Sequence, residues 1–157
     1  SYTNDQNLLD KAHSDLYRAR AAALSMIPST TGAAKAIGLV LPELAGRLDG
    51  LSVRVPTPNV SLVDLTFIAE NAPESVEAIN DILRAGAQKL PAGVMECNEE
   101  ALVSCDFNGY PASCVADLSQ TRVQGELVKV MAWYDNEWGF SNRMLDVLLH
   151  WDGAKSA

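Results

Sequence analysis

The chain has 157 residues, of which 48% are hydrophobic and 20% are charged, and its formal net charge is −8. This length and composition are typical of one soluble globular domain with a sizeable hydrophobic core. The negative charge argues against nonspecific binding to nucleic acid.

The first half of the chain begins with a segment, residues 1–27, that has no clear hydrophobic period. A helix over Ser14–Leu24 is one interpretation of it. A short helix is predicted for Ala33–Leu41, because Thr31 is a good N-cap, Gly32 permits close backbone approach and a proline ends the run. This helix is apolar nearly all round, which predicts that it is buried.

Two predicted strands follow the short helix. Leu51–Thr57 alternates between apolar residues on one face and polar residues, including Arg54, on the other. Prolines at 56 and 58 end this strand or confine it to a sheet edge. Val60–Glu70 alternates again and predicts the second strand.

The second half of the chain has one clear amphipathic helix, predicted over Pro73–Leu90 from apolar residues spaced by three and four. Further elements are predicted as strands at Leu102–Phe107, Ser113–Leu118 and Leu127–Tyr134, a hairpin turn at Gln124-Gly125, and a terminal helix over Trp138–Trp151. Because strand follows strand without a crossover helix, we expect an α+β fold: a largely antiparallel or mixed β-sheet with helices packed on one face.

Three positions in the first half are candidate anion-binding groups. The N–H groups at a helix start favour anions, so Thr31 and Gly32 are candidates, with a plain N-cap as the alternative. Arg54 is a candidate phosphate clamp, with a solvated arginine or a salt bridge to Asp64 as the alternative. Arg18 lies two residues from Arg20, and the alternative to anion binding is ion pairing with Asp15 and its neighbours.

The remaining chemical signals lie in the second half. Asn136 follows a predicted strand, and its amide could bind a nicotinamide carboxamide; the alternative is the N-cap of the last helix. No GxGxxG run occurs, so the chain has no dinucleotide-binding fingerprint of its own. The three cysteines form no CxxC motif and are interpreted as structural thiols in a reducing compartment. No His, Cys and carboxylate residues have metal-ligand spacing, and no signal peptide or membrane span is found.

Four sequence motifs indicate a family resemblance. They are Ser1-Tyr2-Thr3-Asn4-Asp5-Gln6, Thr31-Gly32-Ala33-Ala34-Lys35-Ala36, Arg54-Val55-Pro56-Thr57-Pro58-Asn59-Val60-Ser61 and Trp133-Tyr134-Asp135-Asn136-Glu137-Trp138-Gly139. Together they resemble the catalytic half of phosphorylating glyceraldehyde-3-phosphate dehydrogenase, from Ser1 to about Leu149. The resemblance implies a catalytic core at 1–136 with an ordered, cofactor-lining loop at 1–27. It also implies a helix and tail at 137–157 that pack toward a separate NAD-binding domain.

The resemblance implies a role for each candidate residue. Thr3 and Arg54 would hold the phosphate of glyceraldehyde 3-phosphate, and Thr31 and Gly32, assisted by Arg18, would hold inorganic phosphate. Asn136 would bind the nicotinamide of NAD. The cofactor would be bound mostly by the missing domain, and the full-length protein would be a cytoplasmic homotetramer with no nucleic-acid or membrane partner.

The family's nucleophilic cysteine and base histidine lie upstream of Ser1, so we expect Ser1 to be a cut end, no catalytic residue in this chain and no activity from it alone. Two departures from the family pattern stand out: Phe140 replaces a common tyrosine, and Lys11-Ala12 replaces a Leu-Pro pair, a change that would admit NADP. The alternatives are a fragment of erythrose-4-phosphate dehydrogenase, or a non-catalytic oligomerisation or interaction module that uses the apolar stripe of the last helix.

Overall fold

The structure is a computed structural model that describes residues 1–71 and 73–155. The chain divides into two compact units, Ser1–Pro58 and Asn59–Ala157. The predicted division at residue 136 stays a prediction. Among the described residues, no helix combines the length and apolarity needed to cross a membrane.

The first unit opens with an ordered loop whose only helical turn is a 3-10 turn at Ala22–Leu24, so the alternative α-helix over Ser14–Leu24 is wrong. Polar groups hold this loop together. The side-chain amide of Asn7 donates to Arg18 O (3.1 Å), and the Asp10 carboxylate accepts the N–H of Ala21 (2.8 Å). Because these contacts need no apolar stripe, the loop shows no hydrophobic period.

After the loop, strand β1 (Ile27–Thr30) pairs antiparallel with strand β2 (Leu51–Arg54). Ile27 lies opposite Arg54, and Ser29 lies opposite Ser52, so these four side chains share one face of the two-stranded sheet. Ile27 and Ser29 are buried, whereas Leu51 on the other face is 68% exposed. Strand β2 ends at Arg54, before both prolines and three residues short of the predicted Thr57, and its apolar side chains lie on the exposed face of the unit.

Helix α1 (Ala33–Val40) connects the two strands, close to its predicted bounds. Its predicted burial is wrong, since Leu39 is 85% exposed and Val40 is 79% exposed. The helix packs mainly against the 3-10 turn at Pro42–Leu44, where Gly38 lies close to the backbone of Ala45. One short turn covers too little surface to bury an eight-residue helix.

The second unit contains a five-stranded mixed sheet, which confirms the α+β fold class. Its strands are β3 (Ser61–Ile68), β4 (Met95–Asn98), β5 (Cys114–Asp117), β6 (Arg122–Gln124) and β7 (Leu127–Tyr134). The order is β3-β7-β5-β4, and β6 also pairs with β7 through the predicted turn at Gln124-Gly125. Only the β4–β5 pair is parallel among the described strands.

One predicted strand in this unit is wrong. Part of Leu102–Phe107 forms a 3-10 turn at Ser104–Phe107, because the Asp106 carboxylate accepts the N–H of Val103 (2.8 Å) and closes the chain locally. Strand β4, just upstream, takes the sheet position instead, in a stretch that has no strand in the sequence prediction.

Two helices complete the second unit. Helix α2 (Val76–Lys89) starts three residues later than predicted, because the Ser75 hydroxyl caps it by accepting the N–H of Ala78 (3.1 Å). Helix α3 (Trp138–Lys155) begins against the segment that precedes β5. A Cβ at Gly139 would lie 2.8 Å from Ala112 O, so this contact requires glycine. The local core consists of Val60, Phe107, Ala112 and Val115.

Candidate functional site

The first unit brings Arg54 and Thr3 together. Arg54 ends β2 on the covered face, and its Nη1 donates to Thr3 Oγ1 (3.3 Å). Thr3 is held in place by buried Gln6, whose Oε1 accepts from Thr3 N (2.9 Å) and from Thr3 Oγ1 (3.3 Å). The N–H of Tyr2 also donates to Thr57 O (3.1 Å), so the N-terminal motif contacts the motif that contains Arg54.

The Arg54 guanidinium has spare donor capacity. Its Nε is buried and has no hydrogen-bond partner among the residues that the structure describes. A buried donor without a partner costs about 1–3 kcal/mol, so the position favours a ligand that supplies acceptor oxygens. Asp64, considered as the ion-pair partner of Arg54, instead pairs with Lys129.

Arg18 lies over the middle of the same sheet face. Its Nη2 donates to Ser29 Oγ (3.1 Å), its Nη1 pairs with Asp5 (2.5 Å) and its Nε lies 3.4 Å from an Asp15 carboxylate oxygen. The alternative contact with Asp15 is therefore present. Arg20 pairs with Asp10 rather than joining Arg18 in one cluster. An anion held by Arg18 would have to compete with these two carboxylates.

Thr31 and Gly32 lie at the start of α1 and are exposed. Gly32, not Thr31, is the N-cap residue, although Thr31 Oγ1 accepts the N–H of Ala33 (3.2 Å). Thr30 pairs with Leu51 at one end of the β1–β2 ladder, whereas Arg54 is paired at the other end. Thr30, the residue before Thr31, is thus about 10 Å from the position of Arg54 along the strands, at about 3.3 Å per residue.

The second unit places Asn136 directly after β7. Its Oδ1 accepts a hydrogen bond from Ser61 Oγ (2.7 Å), and the residue is partly exposed. A side-chain amide carries both the donor and the acceptor that pairing with a carboxamide requires.

Asp135 is the residue that sequence reasoning missed. Its buried carboxylate accepts four hydrogen bonds, from Trp138 N (2.8 Å), Gly109 N (2.8 Å), Asn59 Nδ2 (2.7 Å) and Glu137 N (3.1 Å). Asp135 therefore accepts the first amide of α3, that of Trp138, and the amide of the residue before it. An acidic residue just before a predicted helix start is the signal that could have found it.

The charge of Asp135 is stabilised by these contacts. Burial by itself raises the pKa of a carboxyl group, but hydrogen bonds from Trp138, Gly109, Asn59 and Glu137 outweigh burial and lower the pKa of Asp135. The group is therefore an anion at neutral pH that fixes the backbone on which Asn136 lies.

Two of the three cysteines, Cys97 and Cys114, have the character of structural thiols, whereas Cys105 is exposed and does not fit the predicted structural role. Burial raises the pKa of Cys97 and of Cys114, whereas a nucleophilic cysteine requires a lowered pKa. All three cysteines are free thiols. Within the described ranges, no three His, Cys, Asp or Glu residues lie close enough to hold a metal ion.

Comparison with known proteins identifies the family. Residues 1–136 match the family described as glyceraldehyde 3-phosphate dehydrogenase, C-terminal domain. Proteins named glyceraldehyde-3-phosphate dehydrogenase are similar: the chromosomal protein of Cupriavidus necator is 62% identical over 146 residues, that of Xanthobacter flavus 59% over 147, and that of Pseudomonas aeruginosa 60% over 150.

These matches cover 93–95% of the chain but only 43–44% of each relative, so the chain spans less than half the length of the curated relatives it matches. The family match covers residues 1–136, which include Thr3, Thr31, Arg54 and Asn136. The chain belongs to the family of glyceraldehyde 3-phosphate dehydrogenase C-terminal domains.

Proposed function

We propose that this chain is the catalytic-domain part of a glyceraldehyde-3-phosphate dehydrogenase, which oxidises and phosphorylates its aldehyde substrate with a nicotinamide cofactor. The observation that carries the proposal is the Arg54–Thr3 contact, with a buried guanidinium nitrogen that lacks a described partner. This arrangement offers donors to a phosphate ester, and the relatives carry the name of an enzyme whose substrate has one.

In this proposal, Arg54 and Thr3 bind the phosphate of glyceraldehyde 3-phosphate. Thr31 and Gly32 bind inorganic phosphate at the start of α1, and Arg18 assists by exchanging a carboxylate partner for the anion. The separation of the two positions along β1 and β2 supports the assignment of two anions rather than one. Holding both reactants in place lowers the entropy cost of their encounter.

Asn136 is proposed to hold the nicotinamide carboxamide and so to select which face of the ring meets the substrate. When bound, the cofactor supplies the hydride acceptor of the reaction. Lys11 and Ala12 are exposed in the first loop, where the gain of a cation and the loss of a proline would favour the additional phosphate of NADP. The rest of the cofactor, the nucleophilic cysteine and the base histidine are assigned to residues outside this chain, in a cytoplasmic homotetramer.

Turnover by purified protein tests the proposal. We expect the full-length protein to reduce NAD or NADP only when glyceraldehyde 3-phosphate and inorganic phosphate are both present. The 157-residue chain alone should show no turnover, because the nucleophilic cysteine and the base histidine are assigned to residues outside it. Erythrose 4-phosphate, assayed in parallel, should be the poorer substrate.

Two results of this assay would contradict the proposal. One is a full-length protein that folds but does not reduce either cofactor in the presence of the triose phosphate. The other is reproducible turnover by the isolated chain after separation from host enzymes. Faster turnover of erythrose 4-phosphate would instead favour the alternative dehydrogenase.

An interaction module is the second candidate, favoured by the surface of α3. Phe140 is 68% exposed and Leu149 is 72% exposed, and the helix carries further exposed apolar residues: Trp138, Met144, Leu145, Val147, Leu148 and Trp151. Such a surface is typical of a protein interface. Arg54 lies on β2 and not on α3. Its loss would therefore impair an enzyme but not an interaction module that binds through α3.

A further inference from the structure

We propose that Asn108 is a deamidation site that the Asp135 carboxylate keeps unreactive in the folded protein. Asn108 and Gly109 form the one Asn-Gly pair of the sequence, and both residues are exposed. An asparagine loses its side-chain amide fastest before glycine, because glycine has no side chain to hinder attack by its nitrogen. Sequence and exposure alone therefore predict a reactive pair. This chemistry needs no substrate and is independent of the proposed dehydrogenase activity.

The reaction takes place between these two neighbouring residues. The Gly109 backbone nitrogen attacks Asn108 Cγ, so a new C–N bond closes a five-membered succinimide ring. The side-chain nitrogen leaves as ammonia and takes up the proton that Gly109 N loses. Water then opens the ring to aspartate or isoaspartate. The reaction therefore requires a Gly109 nitrogen without another partner and a backbone rotation that brings this nitrogen to Cγ.

The Gly109 nitrogen is bound in the folded protein. Its N–H donates to Asp135 Oδ2 (2.8 Å), and the Asp135 side chain is buried. Four hydrogen bonds lower the pKa of Asp135 in spite of burial, so the acceptor stays charged at neutral pH. A hydrogen bond to a charged acceptor is about twice as strong as one between neutral groups. Attack on Asn108 must first break this bond.

The backbone conformation also opposes ring closure. Asn108 has a φ of −66° and a ψ of 124°, in the extended region. Closure requires Asn108 Cβ and Gly109 N to eclipse each other about the Cα–C bond, and at this ψ they are rotated well apart. Gly109 has a φ of 72°, which glycine adopts readily. Rotation to the reactive conformation would move the Gly109 N–H away from Asp135, so the same bond opposes both steps.

The Asn108 side chain is bound to the same group of residues. Asn59 Nδ2 donates to Asn108 Oδ1 (2.6 Å) and to Asp135 Oδ2 (2.7 Å). Because an ionised carboxylate only accepts, the Asn59 atom that faces Asp135 must be its NH2 nitrogen, and the Asn108 atom that receives the other proton must be its oxygen. Loss of the Asp135 carboxylate would therefore release the attacking nitrogen and loosen the Asn108 side chain together.

Peptide mapping by mass spectrometry of the full-length protein tests the proposal without turnover. The protein would be incubated at mildly alkaline pH, and the gain of one mass unit at Asn108 would be followed over time. We expect the folded wild type to react more slowly than the same protein unfolded in urea. Asp135→Ala should accelerate the reaction at least about tenfold, as loss of a hydrogen bond to a charged group implies.

Val115→Ala is the matched control, because it destabilises the same unit from its core but leaves the contacts of Asp135 in place. At a temperature at which circular dichroism shows both variants folded, Val115→Ala should deamidate at nearly the wild-type rate. Asn59→Ala, which removes one donor to Asp135 and the bond to Asn108, should give a smaller increase and serves if Asp135→Ala does not fold.

Three results would overturn the proposal. The first is a folded Asp135→Ala or Asn59→Ala variant that deamidates at the wild-type rate. The second is an equal acceleration by Val115→Ala, which would assign the protection to global stability and not to the carboxylate. The third is a folded wild type that reacts as fast as the unfolded protein, because the contacts of Asp135 would then provide no protection.

Discussion

Replacing Arg54 with alanine in the full-length protein is expected to lower kcat/KM for glyceraldehyde 3-phosphate by at least about 100-fold, since a charge-assisted bond between a guanidinium and a phosphate is lost. The KM for the nicotinamide cofactor should stay within about twofold, because Asn136 and the cofactor domain are untouched. Steady-state kinetics with each substrate varied in turn would measure both effects.

The controls for this experiment use other arginines and a conservative change. Arg54→Lys keeps the charge but lacks the forked donors, so it should recover only part of the activity. Arg20→Ala removes an exposed arginine that pairs only with exposed Asp10 in the described structure, and should leave kcat/KM unchanged. If Arg54→Ala kept full activity, the assignment of the substrate phosphate would be wrong. If the protein were an interaction module instead, the wild type would have no dehydrogenase activity, and Arg54→Ala would leave its assembly intact.

Asp135→Ala is expected to lower the free energy of unfolding of the second unit by about 2–4 kcal/mol, because four donors lose a buried, charged acceptor. All three tryptophans, Trp133, Trp138 and Trp151, lie in this unit, so their fluorescence during urea unfolding reports its stability. Asp146→Asn, which breaks an exposed pair with Arg143, should change stability by less than about 0.5 kcal/mol.

The pH dependence follows from the lowered pKa of Asp135. A carboxyl group whose pKa is depressed by folding stabilises the folded state above its unfolded pKa, about 3.9, and this stabilisation is lost as the pH falls through the folded value. Wild-type protein should therefore lose more stability below about pH 4 than Asp135→Asn does. Parallel pH profiles, or a cost similar to that of Asp146→Asn, would contradict the assigned role of this carboxylate.

The sequence predicted the elements that have long, regular patterns. β7 was predicted with the bounds Leu127–Tyr134 that the structure shows, and α2 was identified from its apolar spacing. Strands β1 and β4 were missed, although β2 and β5 have the same length of four residues and were predicted; β1 contains a proline, which usually ends a strand. The prediction that α1 is buried was wrong. Its apolar composition shows that burial would be favourable, but it does not show whether another segment covers the helix.

For the candidate site, Arg54, Thr3 and Asn136 were identified as site residues because the motifs that contain them resemble those of the family. The structure brings Arg54 to Thr3 across 51 residues, and Ser61 to Asn136 across 75. Contacts over such separations depend on strand register, which no local pattern contains. The network around Asp135 was missed for the same reason, since Asn59 and Gly109 are far from it in the chain.

A crystal structure of the full-length protein with glyceraldehyde 3-phosphate and NAD bound would show whether this chain supplies the phosphate-binding part of the active site. We expect the phosphate of the substrate to contact the Arg54 guanidinium, including Nε, and the Thr3 hydroxyl. We also expect the Asn136 amide to form a hydrogen bond with the nicotinamide carboxamide. A substrate phosphate bound away from Arg54 and Thr3 would contradict the claim that this chain supplies the phosphate-binding part of the active site.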